Sequence, residues 1–392
     1  MLYQDCIEQL TGLKDFYVKE VKDVYGELHI YGRMARRIHE CPKCGTRTSR
    51  VHDYRMQVIK DVSGFGQITY LHLNKRRHVC PDCGKRFYES VDFLPRYHRM
   101  TNRLIQAMIR EFGTVQPISG IARKSNVSPP TVARIFDYVS FARPALPKVL
   151  SIDEFRGNAG GERFQCILTD PEKKKALDVL PNRKSEDLYR YFLQFDNRKD
   201  VAFVVMDMSS LFKSVAKRCF PNAKIVADRF HVTRYVCWAM DKVRKEEQKK
   251  FGTGRRKYFK HSKGLLLKHI EDLKPEQVEQ LEAMLKVSER IRRAYFALQD
   301  FYKVMAEPNR TSAKKHLAAW VMRVQSYDLP EFEPCVTMIL NWLDEILNAF
   351  DVPFSNGYTE GVNNKIKVLK RVSYGVRDFE RFRNRILMAM GN

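Results

Sequence analysis

Three acidic residues separated by more than two hundred positions could do chemistry together: Asp153 in KVLSIDEF, Asp207 in VAFVVMDMS and Glu360 in SNGYTEGVNNKIK. The first two end or interrupt apolar runs of β type, and the third opens an amphipathic, lysine-rich helix. A buried strand of Val, Ile and Phe does not tolerate a carboxylate without a partner, so two such intrusions in one domain imply a shared cation. The chain carries a formal charge of +24, with 70 Lys plus Arg against 46 Asp plus Glu spread along its length. A carboxylate pocket holding Mg²⁺ beside a polyanion fits that balance, and cutting and joining DNA is the chemistry it implies.

A second constellation is built on sulfur. Cys41 and Cys44 form CPKC, Cys80 and Cys83 form CPDC, and a glycine follows each pair. Two such knuckles can surround one tetrahedral Zn²⁺. The 35 intervening residues alternate in period two and read as hairpin strands, so a zinc ribbon is the expected form. Paired disulfides are the competing use of four cysteines, and a cytosolic chain disfavours them. His52, His72 and His78 could also ligate, but four thiolates complete the shell. Cys6, Cys166, Cys219, Cys237 and Cys335 read as isolated thiols.

The elements that must position these groups are legible in outline. At 392 residues and 44% hydrophobic, the chain can bury a large core and is expected to hold two to four domains. No apolar run approaches the ~20 residues that span a bilayer, and the start carries acids and no secretory cleavage site. A cytoplasmic protein is expected, nucleoid-associated when bound to DNA, with no membrane and no small-molecule substrate. A basic balance alone does not separate DNA from RNA, and an RNA-associated protein is the plainer alternative.

After an N-terminal segment (1–37) and the ribbon (38–96), the pattern turns helical. TNRLIQAMIREFG, PISGIARKSN and SPPTVARIFDYVSFA read as three helices, with Ser128 as N-cap and Pro129 near the first turn of the third. This is a helix-turn-helix unit (97–143) in which Ser128, Thr131 and Arg134 face DNA while Val132, Ile135 and Phe136 pack inward. The proline-punctuated ARPALP then links it to the next domain.

From Lys148 three short strands are followed by helix, strand, helix and strand, which implies a mixed five-stranded sheet with the element order of a ribonuclease-H-like domain (147–228 and 346–392). In that order the first and fourth strands are central neighbours, so Asp153 and Asp207 approach although 54 positions separate them. Period two puts Glu154 on the opposite face, which selects Asp153. A helical insertion (229–345) interrupts the domain, with RFHVTRYVCWAMDKVRKEEQKK and KPEQVEQLEAMLKVSERIRRAYFALQDFYKVMA among its helices. Between Lys242 and Lys263 it carries ten basic residues and two acids around GTGRR, a loop or frayed helix suited to phosphate contact through Lys249, Lys250, Arg255, Arg256 and Lys257. Trp238, Trp320 and Trp342 fall in or beside the insertion. Each could stack on a displaced base, but core packing is the expected role. Beyond Ser355 a new helix starts near Tyr358 with Glu360 in its first turn. Lys367 lies two turns along the same face, flanked by Asn364 and by Arg371, a further candidate DNA contact.

The paired CPKCG and CPDCGKRF knuckles, SIDEF, VVMDMS, PNAKIVADRFHV and the terminal NGYTEGVNNKIKVLKRVSYGVRDFERFRNRIL together resemble a bacterial insertion-sequence transposase of the DDE type, in the ISL3 family, from about residue 38 onward. The resemblance implies that Asp153, Asp207 and Glu360 are the catalytic triad, with Lys367 as the associated basic residue. It also implies that Asp228 and His231, in DRFH, match an aspartate-x-x-histidine element that orients the active site or DNA. Asp228 ends an apolar strand and remains the rival of Asp207 as second ligand. The expected mechanism uses two Mg²⁺ (or Mn²⁺) ions, bridged by Asp153 and held separately by Asp207 and Glu360. The expected partners are the terminal inverted repeats, target DNA and at least a second copy of the chain. A ribonuclease-H-like nuclease or junction resolvase, or a domesticated zinc and helix-turn-helix regulator, is the alternative.

Overall fold

The structure is a computed structural model that describes residues 12–391, so Cys6 lies outside it. The chain forms two compact units. One comprises the residues up to Phe141 with Val368–Val376 and Glu380–Gly391, the other Ala142–Lys367 with Arg377–Phe379.

In the first unit the segment before the knuckles, to which the sequence assigned no form, is a hairpin of β1 (Phe16–Val24) and β2 (Glu27–Met34). Strand β2 runs parallel to β6 (Gln67–Val79), which pairs antiparallel with β5 (Val51–Gly64) and with β7 (Arg86–Tyr88). Phe16, Ile30, Ile59, Leu71 and Leu73 close one core over this sheet. A short pair, β3 (His39–Glu40) and β4 (Arg47–Thr48), flanks the first knuckle.

Helix α1 (Asn102–Glu111) is capped by Thr101, whose side chain accepts from the Leu104 N–H and donates to Asp61 of β5 at 2.6 Å. Helices α2 (Ile118–Lys124) and α3 (Pro129–Phe136) pack on α1 through Met108, Phe112, Ile121, Val132 and Phe136. Helix α3 is shorter than the sequence pattern implied. It stops at Phe136, beyond which Asp137 is held by Arg381 at 2.8 Å.

The second unit contains the sheet β10-β9-β8-β11-β12, built from β8 (Val149–Phe155), β9 (Gln165–Asp170), β10 (Lys175–Leu180), β11 (Phe203–Met206) and β12 (Lys224–Ala227). Strands β8, β11 and β12 are parallel, while β9 and β10 are antiparallel to their neighbours. Both faces are covered, which is why these strands read as nearly unbroken apolar runs. Leu150, Ile152, Val204, Met206 and Ile225 face α4 (Ser185–Leu193) and α5 (Ser210–Cys219) through Leu188, Phe192 and Phe212. The alternate residues Val149, Val205 and Val226 pack against Ala349 and Val352.

Helix α6 (Arg229–Lys250) leaves the end of β12 and anchors a helical layer. That layer continues through α7 (Thr253–Lys260), α8 (Lys263–Leu266), α9 (Pro275–Val287), α10 (Glu289–Met305), α11 (Arg310–Ser326), α12 (Glu333–Asn341) and α13 (Leu343–Asn348). The segment 274–306, read above as one helix, is two. Ser288 between them is extended, its side chain accepting from Ile291 N–H and donating to Glu247 at 2.8 Å. The stretch around GTGRR is the short helix α7. Trp320 and Trp342 are buried as expected, but Trp238 is not a core residue: it is 51% exposed on the outer face of α6. Helix α14 (Gly357–Val372) follows; α15 (Phe379–Ala389), which from Glu380 onward belongs to the first unit, bonds its Asn384 and Arg385 to the carbonyls of Val139 and Phe112 within that unit.

Candidate active site

Sheet register places the acids. Met206 of β11 pairs with Ile152 of β8 and with Ala227 of β12. The residues that follow are Asp153, still within β8, and Asp207 and Asp228, just past β11 and β12, so three carboxylates stand level across three adjacent parallel strands. All three share the alternation of Val149, Val205 and Val226 and therefore the same face. Glu154 has the opposite parity and pairs with Arg183.

Helix α14 brings the fourth acid to this face, and a buried polar network docks it. Thr359 meets Thr169 at 2.8 Å and Ser151 at 3.0 Å, and Asn356 accepts from Ser151. Asn363 donates to Asp153 Oδ2 at 2.8 Å. Asn356, Thr359 and Asn363 repeat every three or four residues, so they share a helical face, and each meets a sheet polar group without which its burial would be costly. None was singled out from the sequence. Their polar repeat beside Glu360 was the available signal.

Asp228 is the N-cap of α6. Its Oδ1 accepts from Phe230 N–H at 3.2 Å and its Oδ2 from His231 Nδ1 at 2.8 Å, so both oxygens are used. His231 Nδ1 lies 3.9 Å from Glu360 Oε1, and Asp228, His231 and Glu360 offer ligand atoms within 4.8 Å of one another. Asp207 differs: its Oδ1 is buried with no hydrogen-bond partner among the described residues. Lys367 is exposed two turns further along α14, bonded to Asn364 at 3.1 Å, and its charge reaches Glu360 without joining the acidic cluster. Arg371 is exposed beyond it.

The electrostatics describe a pocket short of positive charge inside a basic protein. Burial, reinforced by Asp207, pushes the Asp153 carboxyl up to about 6. Burial likewise raises Asp207, and burial with Asp228 raises Glu360. The bond to Asp228 raises His231, favouring its protonated form. Asp153, Asp207 and Glu360, whose proton affinities rise, are groups that gain from a bound cation. The orphaned Asp207 oxygen and the hard oxygen donors of Asp153 and Glu360 fit Mg²⁺ or Mn²⁺.

The four knuckle sulfurs form a second candidate site. Cys41 and Cys83, and Cys44 and Cys80, lie 3.5 Å apart, and Cys44 and Cys83 are 3.4 Å apart. Tetrahedral Zn–S bonds near 2.3 Å place sulfurs about 3.8 Å apart, so the cage needs little adjustment. Gly45 and Gly84 sit at φ +75° and +66°, conformations that let each knuckle turn back on its cysteine. Thr46 donates to Asp82 at 2.7 Å and ties the knuckles together. The histidines lie apart from the sulfurs: His52 pairs with Asp53 and His72 with His29, while His78 sits tilted against His39 and groups with it and Glu89.

On α3, Ser128 and Thr131 hydroxyls lie 2.9 Å apart with Arg134 bonded to Thr131 at 3.4 Å, forming one polar face. Among the basic residues of the insertion, Lys249 and Lys250 pair with Glu246 and Glu247 at 2.9 and 2.6 Å. Arg255, Arg256 and Lys257 are exposed on α7. No helix among the described residues is long and apolar enough to cross a membrane.

Residues 150–386 match a transposase family of the ISL3 type, residues 37–83 a zinc finger of the IS204, IS1001, IS1096 and IS1165 transposases, and residues 89–140 the ISL3 helix-turn-helix domain. The chain is 26% identical over 406 residues to the transposase for insertion sequence element IS1001 of Bordetella parapertussis, with 97% of each chain covered. It is 25% identical over 240 residues to the transposase for IS1557 of Mycobacterium tuberculosis, covering 55% of this chain and 54% of that one. A shorter match, 35% identical over 113 residues, covers 29% of this chain and 34% of a Lactococcus lactis protein named ATP-dependent protease. The zinc-finger match and the four-sulfur cluster together support one structural Zn²⁺.

Proposed function

We propose, from the premise that this chain belongs to the ISL3 family of transposases, that it cleaves DNA at the ends of its insertion sequence and joins them to target DNA through a DDE site of Asp153, Asp207 and Glu360. The observation that carries this is the row of level carboxylates on one sheet face, with Glu360 brought to it by α14 and one Asp207 oxygen buried without a partner among the described residues. The sheet order, with β8 and β11 central and parallel, supports a ribonuclease-H-like reading.

Asp153, Asp207 and Glu360 would hold two Mg²⁺ or Mn²⁺ ions, which when bound supply charge neutralisation at the phosphate and an activated nucleophile. Asp207 is favoured over Asp228 as the second ligand because both Asp228 oxygens already serve the α6 cap and His231. The remaining groups position and balance charge. Asn363 fixes the Asp153 carboxylate, and Asp228 fixes the His231 ring beside Glu360 with its positive charge favoured. Lys367 lies on the same helix as Glu360, exposed for a DNA phosphate. Hydrolysis of the phosphodiester at an element end leaves a 3′-hydroxyl. Attack of that hydroxyl on a target phosphate expels the target's own 3′-oxygen and joins the strands, so no covalent protein intermediate forms.

The ribbon (38–96) and the helix-turn-helix (97–143) supply end recognition, with Arg134, Thr131 and Ser128 on the reading face. The basic residues of α7 and Arg371 contact phosphate. Bringing two ends together requires at least two chains on DNA. In a test with labelled terminal repeats and Mg²⁺, wild-type protein should nick at the element end, while Asp153→Asn binds the same DNA and leaves it intact. Nicking by a clean preparation of that variant would remove Asp153 from the site.

A further inference from the structure

Helix α6 carries Asp228 and His231 at its start, and beside them its outer face presents Phe230, Arg234 and Trp238 at intervals of four residues. Phe230 is 57% exposed, and the Arg234 guanidinium lies 5.8 Å from its ring centroid and 5.0 Å from that of Trp238. Tyr235, also exposed, leans on Trp238 with ring centroids 5.2 Å apart. An Arg held between two outward-facing aromatics is not needed by the core, and leaving three large rings in water forfeits the burial that keeps most aromatics inside. Arg234 has no carboxylate partner among the described residues, and its Nε is buried with no hydrogen-bond partner. Its charge is nonetheless felt at Asp207 and Glu360. Next to it opens a cleft of about 500 Å³ bordered by Met208, which follows Asp207, and by Tyr235, Met338 and Trp342.

We propose that this face of α6 is a nucleotide-gripping site that takes one or two unstacked bases of the DNA strand leaving the carboxylate pocket, with Trp238 and Phe230 stacking on the bases and Arg234 holding the phosphate between them. The proposal rests on the DNA phosphoryl-transfer reading of the neighbouring pocket. Rings that stand out from a helix cannot stack on paired bases, whose faces are covered by their neighbours, so the ligand is single-stranded or flipped. A free guanidinium interleaved with aromatics is the combination that single-strand binders use, phosphate attraction with sequence-tolerant stacking. Eight residues of helix separate Phe230 from Trp238 by ~12 Å, room for more than one nucleotide. The site also lies where chemistry would need it, its Phe230 and Arg234 within three residues of His231.

The test compares the affinity of the full-length protein for a fully paired duplex and for the same duplex carrying a short thymidine overhang, by fluorescence anisotropy of labelled DNA. Wild-type protein should prefer the overhang. Trp238→Ala should lose roughly tenfold on the overhang and little on the paired duplex, in line with the contribution of one stacked base. Trp238→Phe should keep most of the preference, because a ring remains. Arg234→Ala should weaken overhang binding and flatten its salt dependence. Equal affinity of wild-type protein for the two DNAs, or an equal loss on both with Trp238→Ala, overturns the proposal. So does a Trp238→Ala protein that binds DNA normally but sediments as a smaller species, since the face would then be a contact between chains. Metal-dependent cleavage is scored separately on the same preparations. Cleavage without an overhang preference sinks this site alone, whereas an overhang preference without cleavage sustains it and removes the enzymatic reading.

Discussion

Replacing Asp153 by Asn isolates the electrostatic cost of the acidic pocket. Burial and the Asp207 charge move the Asp153 carboxyl from 3.8 to about 6, so the native state binds its proton more tightly than the unfolded chain. Because the native state then holds more protons, stability falls as pH rises from 3.8 through about 6 and stays reduced above it. That change amounts to ~3 kcal/mol at about pH 7.5. Asn mimics the protonated acid. Its amide oxygen can accept from Glu154 N–H as Asp153 Oδ1 does at 2.8 Å. Rotating the Asn363 amide lets its own oxygen, now buried without a partner, accept from the new side-chain N–H. Asp153→Asn should therefore be more stable than wild type by ~3 kcal/mol at about pH 7.5, with the difference closing towards about pH 4. The tryptophans at 238, 320 and 342 all lie in the unit that holds the pocket, so urea unfolding followed by tryptophan fluorescence reads the correct transition. The buffer should hold stoichiometric zinc and no other divalent cation. Adding Mg²⁺ should then stabilise wild type and leave the variant unmoved. A variant that is less stable at neutral pH, or a difference that does not change with pH, refutes the picture of Asp153 as a buried carboxylate in need of a cation.

Mg²⁺ affinity of wild-type protein, measured by calorimetry, should rise between about pH 5 and 7 with proton release on binding, because Asp153, Asp207 and Glu360 all hold protons more tightly than free carboxyls; a flat profile contradicts this. Asn363→Ala removes a buried bond to Asp153 and should cost about 1–3 kcal/mol in stability while cutting the nicking rate more than DNA affinity, as read by unfolding and single-turnover cleavage. Cys44→Ser should lose the single zinc, detected by metal analysis and by loss of thiolate-to-cobalt absorption after Co²⁺ substitution, and should abolish end binding. Arg134→Ala should weaken binding to the terminal repeat by about 1–3 kcal/mol and relax preference at one position, whereas loss spread evenly over all sequences would mark it as a phosphate contact.

The parts of this chain legible in sequence are those governed by local chemistry and short periods. The C-x-x-C pairs dictate their cluster, and the apolar strands of the second unit announce themselves because helices cover both faces. Alternation separated Asp153 from Glu154 because in a strand one residue reverses the face. What sequence hid depends on contacts distant along the chain. The hairpin β1–β2 gains its role from parallel pairing with β6, which no local pattern encodes. The break at Ser288 lies inside a continuous helical pattern and is fixed by Glu247, 41 residues earlier. Asn363 and Thr359 look like ordinary polar positions of an amphipathic helix until Asp153, Ser151 and Thr169 meet them. Trp238 misled for the opposite reason: its spacing fits a core helix, but α6 turns that face outward.

The most direct test of the central claim is a strand-transfer assay with purified protein, Mg²⁺, labelled DNA carrying the repeats that flank the gene, and a target plasmid, run beside Glu360→Gln. Wild-type protein should give end-specific nicking and joined products, and Glu360→Gln neither, although it still binds the repeats. Joined products from Glu360→Gln at the wild-type rate, or nicking by wild type that never proceeds to joining, would contradict it.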